Sequence, residues 1–330
     1  VFDEAKAIPA GTFDAAEGAF SNAGADTDAD AYALAISTPG DTGGRFYDIH
    51  KRRPGYEDWW VRHVTLEEAI NAGRISREWA ENRRKQWGET SPVYMNRVLG
   101  EFAEAGTDVL IPLSWVEQAN ERWAACDGKG VGAMSYGVDV ARFGDDSTTI
   151  ARQVGSVIEQ VDYLSQMDTM QTTGEVVARV KKLDVPIMVD VIGVGAGVVD
   201  RLREQGYNVS GVNVSEAARD ELDNDLTDAS GELNFVNLRS YTWWVLRERL
   251  DPKGADPLAL PPDDQLTGDL TAPKWKVTSN GRIQVESKDE IRKRIGRSTD
   301  AADGVALAVS HAALKLPPVV APIRIKAKRW

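Results

Sequence analysis

Three carboxylates set inside apolar runs constrain this chain more than any other feature of it. Asp139 lies in Tyr136-Gly137-Val138-Asp139-Val140, Asp190 in Ile187-Met188-Val189-Asp190-Val191, and Asp303 in Asp300-Ala301-Ala302-Asp303-Gly304-Val305-Ala306-Leu307. A lone buried carboxylate costs several kcal/mol, so each must be protonated, paired or bound to a cation. Two carboxylates from strands and one from a helix converge only through tertiary folding, and hard oxygen ligands of this kind suit Mg²⁺ or Mn²⁺. Two such ions about 4 Å apart stabilise the attacking and leaving oxygens of phosphodiester hydrolysis. Asp300, one turn before Asp303, is either a second ligand or the N-cap of its own helix. Asp146 either ligates a metal or orients a ligand, or it closes the turn Phe143-Gly144-Asp145-Asp146.

The rest of the composition narrows the chemistry. A chain of 330 residues with 42% hydrophobic residues and a net charge of −12 can bury a real core, and its length predicts two domains. One cysteine, Cys126, and three histidines exclude a disulfide scaffold and a Cys/His zinc site. The most apolar tract, 305–323, is broken by His311, Lys315 and three prolines, so no bilayer span and no signal peptide are expected, and a cytoplasmic location is. The acidic balance argues against nucleic acid only as a whole-chain sum, because binding uses local patches. Lys288, Arg292, Lys293, Arg294 and Arg297 form such a patch just before Asp300, and Arg324, Lys326, Lys328 and Arg329 form a basic tail. Gly193, Gly195 and Gly197 after Asp190 make either a phosphate-binding turn or a close helix-to-sheet contact.

Along the chain, Val1-Phe2-Asp3-Glu4 reads as the last turn of a buried strand, so the chain starts in mid-element, and Tyr32 to Ile36 is a second strand. Helical pattern follows: Thr65 with Glu68 predicts a capping box, and Ser91-Pro92 opens a helix through Val98. Six tryptophans, Trp59, Trp60, Trp79, Trp87, Trp115 and Trp123, are expected to pack these helices together, with a base-stacking role for one of them as the alternative. Asp127-Gly128-Lys129-Gly130-Val131-Gly132 is the expected domain boundary. After it, three β-runs (135–140, 147–154, 157–163) predict an antiparallel meander, followed by alternating helix and strand to residue 214. Asn280-Gly281 predicts a hairpin, and a final helix runs from Asp300 to Leu314.

With these residues in view, the sequence resembles the large subunit of a tailed-phage DNA-packaging terminase over nearly its whole length. Val1-Phe2-Asp3-Glu4-Ala5 resembles the family's Walker B strand, and Ile36-Ser37-Thr38-Pro39 its coupling motif, with the choice between Ser37 and Thr38 open. Arg97-Val98-Leu99-Gly100-Glu101-Phe102, then Ile111-Pro112 and Trp115, resembles the passage from motor to nuclease. Gly137-Val138-Asp139, Val189-Asp190 and Ser298-Thr299-Asp300-Ala301-Ala302-Asp303 stand in the order of its nuclease motifs.

The resemblance implies an α/β fold: a ribonuclease-H-like mixed five-stranded sheet flanked by helices, preceded by a partial P-loop-type ATPase segment and a helical linker region. The implied boundaries are 1–63 for the later part of the ATPase, 64–132 for the linker, 133–316 for the nuclease and 317–330 for the tail. It implies Asp139, Asp190 and Asp303 as catalytic metal ligands with two Mg²⁺ or Mn²⁺ ions, and Asp3 and Glu4 as motor positions. It also implies double-stranded DNA, a small terminase subunit and a procapsid portal as partners, in the host cytoplasm and transiently at the portal. No Gly-x-x-x-x-Gly-Lys-Ser/Thr loop occurs in the 330 residues, so ATP hydrolysis is not expected of this chain alone. Two rival readings are a non-cutting motor component that docks on the portal, and an actin-like phosphotransferase, which would need a second, duplicated sheet.

Overall fold

In the first unit of the chain, Val1–Thr107, β1 (Phe2–Asp3) pairs in parallel with β2 (Ala35–Ile36). The computed structural model describes residues 1–18, 32–40, 42–89, 91–103, 108–141, 147–220 and 222–314. Among these, the first unit's sheet has only these two strands, and its core is small: Phe2, stacked on Phe13 at 4.2 Å between ring centroids, with Ala5 and Ile49. The helices that follow are set by their caps. Thr65 and Glu68 form the expected capping box at Leu66–Asn71, and Ser76 Oγ accepts the N–H of Trp79 at the start of Arg77–Trp87. Ser91 caps Pro92–Tyr94, which continues as a π-turn over Met95–Leu99. Trp87 is buried between these helices, whereas Trp60 is 77% exposed, so the tryptophans do not all serve as packing.

The second unit, Asp108–Trp330, is built on five strands: β3 (Met134–Asp139), β4 (Thr148–Val154), β5 (Val157–Leu164), β6 (Ile187–Asp190) and β7 (Val209–Val212). Their order is β5-β4-β3-β6-β7; β3, β4 and β5 are antiparallel, while β3, β6 and β7 run parallel. This is the mixed five-stranded sheet that the sequence leads one to expect. The alternation of side chains along a strand sends neighbours to opposite faces. Tyr136, Val138, Ile187 and Val189 join one core layer with Val176 of helix Thr169–Arg179 and Val198 and Leu202 of helix Gly195–Glu204. Ala151, Met188 and Val212 join the other, against helices Leu238–Leu250, Asp264–Thr271 and Asp300–Leu314. The expected hairpin is formed by β8 (Trp275–Val277) and β9 (Ile283–Val285).

Two boundaries differ from the sequence reading. Helix Leu113–Ala125 belongs to the second unit, where Trp123 Nε1 donates to Ile158 O and Arg122 to Leu258 O. The glycine-rich segment is therefore not the division between units. A Cβ on Gly128 would come within 2.2 Å of the Trp123 ring, and one on Gly130 within 2.0 Å of Val154 O, so these glycines permit close packing. Residues 64–103, expected in the linker, fall in the first unit. Asp146 and the tail 317–330 lie outside the described residues. Among the described residues, no helix is long and apolar enough to cross a membrane.

Candidate carboxylate active site

Asp139 ends β3 and Asp190 ends β6, one residue beyond the paired Val138 and Val189, so parallel register sets the two side by side. Period-two alternation turns both to the sheet face covered by helix Asp300–Leu314. That helix sits close because glycine lies at the contact: a Cβ on Gly137 would come 2.0 Å from Gly304 O and 2.4 Å from Ala308 N. Thr149 Oγ1 donates to Asp300 O at 2.6 Å, which fixes the helix start over β4. Asp269, fully buried on the neighbouring helix, accepts the N–H of Ala301 at 3.0 Å and pairs with Arg297. Asp269 thus satisfies a first-turn N–H, and Asp300 is left to face the site.

The carboxylates converge on a lysine. Lys288 Nζ lies 2.7 Å from Asp139 Oδ2, 3.4 Å from Asp303 Oδ2 and 3.6 Å from Asp300 Oδ1. Asp303 Oδ1 accepts from Arg239, a buried residue, and from Trp243 Nε1 at 2.7 Å, while its Oδ2 accepts from Thr299 Oγ1 at 3.0 Å. Asp190 Oδ1 accepts the N–H of Ile192 at 2.9 Å, and Asp300 Oδ2 that of Ser147 at 3.3 Å.

Among the described residues, Lys288 and Arg239 are set directly against Asp139, Asp300 and Asp303, and Arg292 lines the cleft onto which Asp139 and Asp300 open. Burial pushes the Asp139 carboxyl up to about 8, opposed by Lys288 and reinforced by Asp303, Asp300 and Asp190. Burial also raises Asp190. At Asp303 burial acts upward too, but Arg239, Lys288 and the Trp243 N–H together outweigh it and hold the group below its ordinary value. Burial would lower the Lys288 ammonium, yet Asp139, Asp303 and Asp300 raise it.

Among the described residues no three His, Cys, Asp or Glu side chains are disposed to hold a metal ion as they stand; an ammonium lies among the acids instead. The donor set fits a hard divalent cation, because it is all oxygen, buried and rich in carboxylates, with Lys288 as a monovalent stand-in.

Lys288, expected on a DNA-facing surface, points into the cluster. Arg294 is tied to Glu286 and Ala272 O, and Arg297 to Asp269 and Ser298 O; Arg292 and Lys293 are exposed. A cleft of about 450 Å³ opens on Asp139, Lys288, Arg292 and Asp300, and a second of about 350 Å³ on Ser147, Arg292, Arg297, Ser298 and Asp300. In the glycine triplet, a Cβ on Gly195 would lie 1.8 Å from Asp190 O, so close packing of helix Gly195–Glu204 accounts for that glycine. A larger cleft of about 910 Å³ lies in the first unit, but among the described residues Asp58 is the only carboxylate lining it. In the same unit Asp3 and Glu4 are exposed, and Ser37 Oγ, not Thr38, donates to Glu4 Oε2 at 3.4 Å.

Sequence reasoning missed Arg239, Trp243 and Asp269. Their signal was present but faint: Arg239 is a charge inside Leu238-Arg239-Ser240-Tyr241-Thr242-Trp243-Trp244, a helix start that is buried almost all round.

No protein-family model matches the chain, and no curated protein matches it. Solved structures do. The nuclease domain of the large terminase subunit gp2 of bacterial virus Sf6 aligns with a TM-score of 0.51 at 22% identity, over 61% of this chain and 97% of that one. A lysine-to-alanine mutant of the same Sf6 domain, with manganese and beta-thujaplicinol, aligns with a TM-score of 0.52 at the same identity and coverage. A mutant with calcium aligns at 0.51, over 98% of that chain. The chain shares the fold of these terminase nuclease domains.

Proposed function

We propose that this chain carries the nuclease of a phage DNA-packaging terminase large subunit, and that it cuts double-stranded DNA endonucleolytically, by divalent-metal-dependent hydrolysis. The observation that carries the reading is the convergence of Asp139, Asp190, Asp300 and Asp303 in one buried cluster, with the Lys288 ammonium seated against three of them. The shared fold supports it, as do the manganese and calcium of the Sf6 domains. Asp139, Asp190 and Asp303 would hold the cations, with Asp300 as a further ligand. When bound, Mg²⁺ or Mn²⁺ would neutralise charge on the scissile phosphodiester and make water a better nucleophile.

The chain's own groups do the rest. Lys288 holds the acids together until it gives up its place, and then offers its ammonium to a phosphate oxygen. Arg292, which lines both clefts, and the exposed Lys293 next to it in sequence would contact the DNA backbone, which positions the duplex without reading bases. The β8–β9 hairpin tracks the duplex beside them. In the first unit, residues 1–63 would be the later part of a motor domain, with Asp3, Glu4 and Ser37 at motor positions. The Ser37 to Glu4 contact supports Ser37 over Thr38 as the coupling residue. ATP hydrolysis is not expected of these 330 residues without a phosphate loop. The partners are then a small terminase subunit and the procapsid portal, in the host cytoplasm.

The test is cleavage of supercoiled plasmid with Mn²⁺. The wild type converts it to relaxed and linear forms, and Asp139→Asn leaves it intact. Equal cutting by both proteins rejects the site; tight DNA binding with no cutting at any divalent concentration favours the non-cutting motor component.

A further inference from the structure

Asp303 differs from its neighbours in how its two oxygens are used. Oδ1 receives two N–H donors from one helix, Arg239 Nη1 and Trp243 Nε1, at 2.5 and 2.7 Å. These residues stand four apart on Leu238–Leu250, so they share a face, and the Arg239 guanidinium lies 5.4 Å from the centre of the Trp243 ring. Arg239 is held from its other side too, since Nε donates to Glu286 O at 3.1 Å. Its Nη2 is buried without a partner among the described residues, a cost that an apolar residue at this position would avoid. Around Oδ2 the described residues place the Thr299 hydroxyl and the more distant Lys288 ammonium.

We infer that Arg239 and Trp243 are positioning residues for Asp303: by saturating Oδ1 they fix the plane of the carboxylate and leave Oδ2 as the one oxygen it offers to a cation. The inference rests on the metal-dependent reading above. An arginine suits the task because it stays charged in any protein environment and its planar fork spans Glu286 O and Asp303 together. Arg239 therefore remains in place when Lys288 withdraws, and the acid does not swing to chelate through both oxygens. Outer partners of this kind typically change metal affinity by roughly 10- to 100-fold.

Mn²⁺ binding to the DNA-free protein, followed by electron paramagnetic resonance beside urea unfolding of the same samples, tests this. Trp243→Phe keeps a ring and removes the N–H; Arg239→Lys keeps the charge and removes the fork. Both are expected to bind Mn²⁺ roughly tenfold more weakly than wild type while folded. A purely structural role would shift the unfolding midpoint and leave the affinity of the folded protein unchanged, and that result overturns the inference. Should Trp243→Phe fail to fold, Arg239→Lys decides the question alone. A wild type that binds no Mn²⁺ overturns the metal reading and this inference with it, whereas a binding wild type with unaltered variants overturns this inference only.

Discussion

Both units of the molecule end a strand in an aspartate, yet the two environments are opposite. In the first, β1 ends in Asp3 on a two-stranded sheet; Asp3 and Glu4 are exposed, and Glu4 is met by the Ser37 hydroxyl. In the second, β3 and β6 end in Asp139 and Asp190 under a helix, buried, with Lys288 drawn in among the acids. The same local pattern, an apolar run closed by a carboxylate, thus yields a solvated group or a buried one depending on what covers the sheet. What covers it here is a helix admitted by Gly137 and Gly304. Burial then sets the chemistry: it raises Asp139 and Asp190 and creates a demand for positive charge that an exposed acid never makes.

The comparison can be broken by substitutions that treat the two units differently, read segment by segment through hydrogen exchange, because a single unfolding transition does not describe a two-unit chain. The largest effect is expected at Asp269→Ala, which strips a buried partner from Arg297 and an acceptor from Ala301: a loss of about 3 to 5 kcal/mol confined to the second unit. Gly137→Ala comes next, because its methyl would overlap backbone atoms of the covering helix. A loss of about 3 kcal/mol is expected, with helix 300–314 exchanging faster. Ser76→Ala removes one helix cap in the first unit and is expected to cost about 1 kcal/mol there, leaving the second unit unchanged. Gly11→Ala, in helix Ala10–Gly18, is smallest and opposite in sign: beyond the helix's own backbone nothing stands within 4 Å of a Cβ there, so a gain of about 0.5 kcal/mol is expected. If Gly137→Ala and Gly11→Ala shifted stability alike, close helix approach would not be what separates the two units.

Much of this was legible in the residues because it is local. The capping box at Thr65 and Glu68, the three antiparallel runs, the hairpin at Asn280-Gly281 and the helix from Asp300 to Leu314 each follow from signals within a few residues. Asp139, Asp190 and Asp303 stood out because charge inside an apolar run is costly wherever it folds. What was not legible depends on long-range pairing. Lys288 looked like one member of a basic patch, and only the tertiary fold turns its side chain toward an acid 149 residues away. Arg239 and Asp269 are charges whose partners lie on other elements. The glycines at 128 and 130 looked like a linker for the same reason, since the backbone and ring they approach are invisible to a local reading.

Anomalous scattering from crystals soaked in Mn²⁺ tests the central claim most directly. The account predicts peaks among Asp139, Asp190 and Asp303, with the Lys288 ammonium withdrawn from Asp139. Crystals that show no peak there at high Mn²⁺, with Lys288 still seated between the carboxylates, would contradict it.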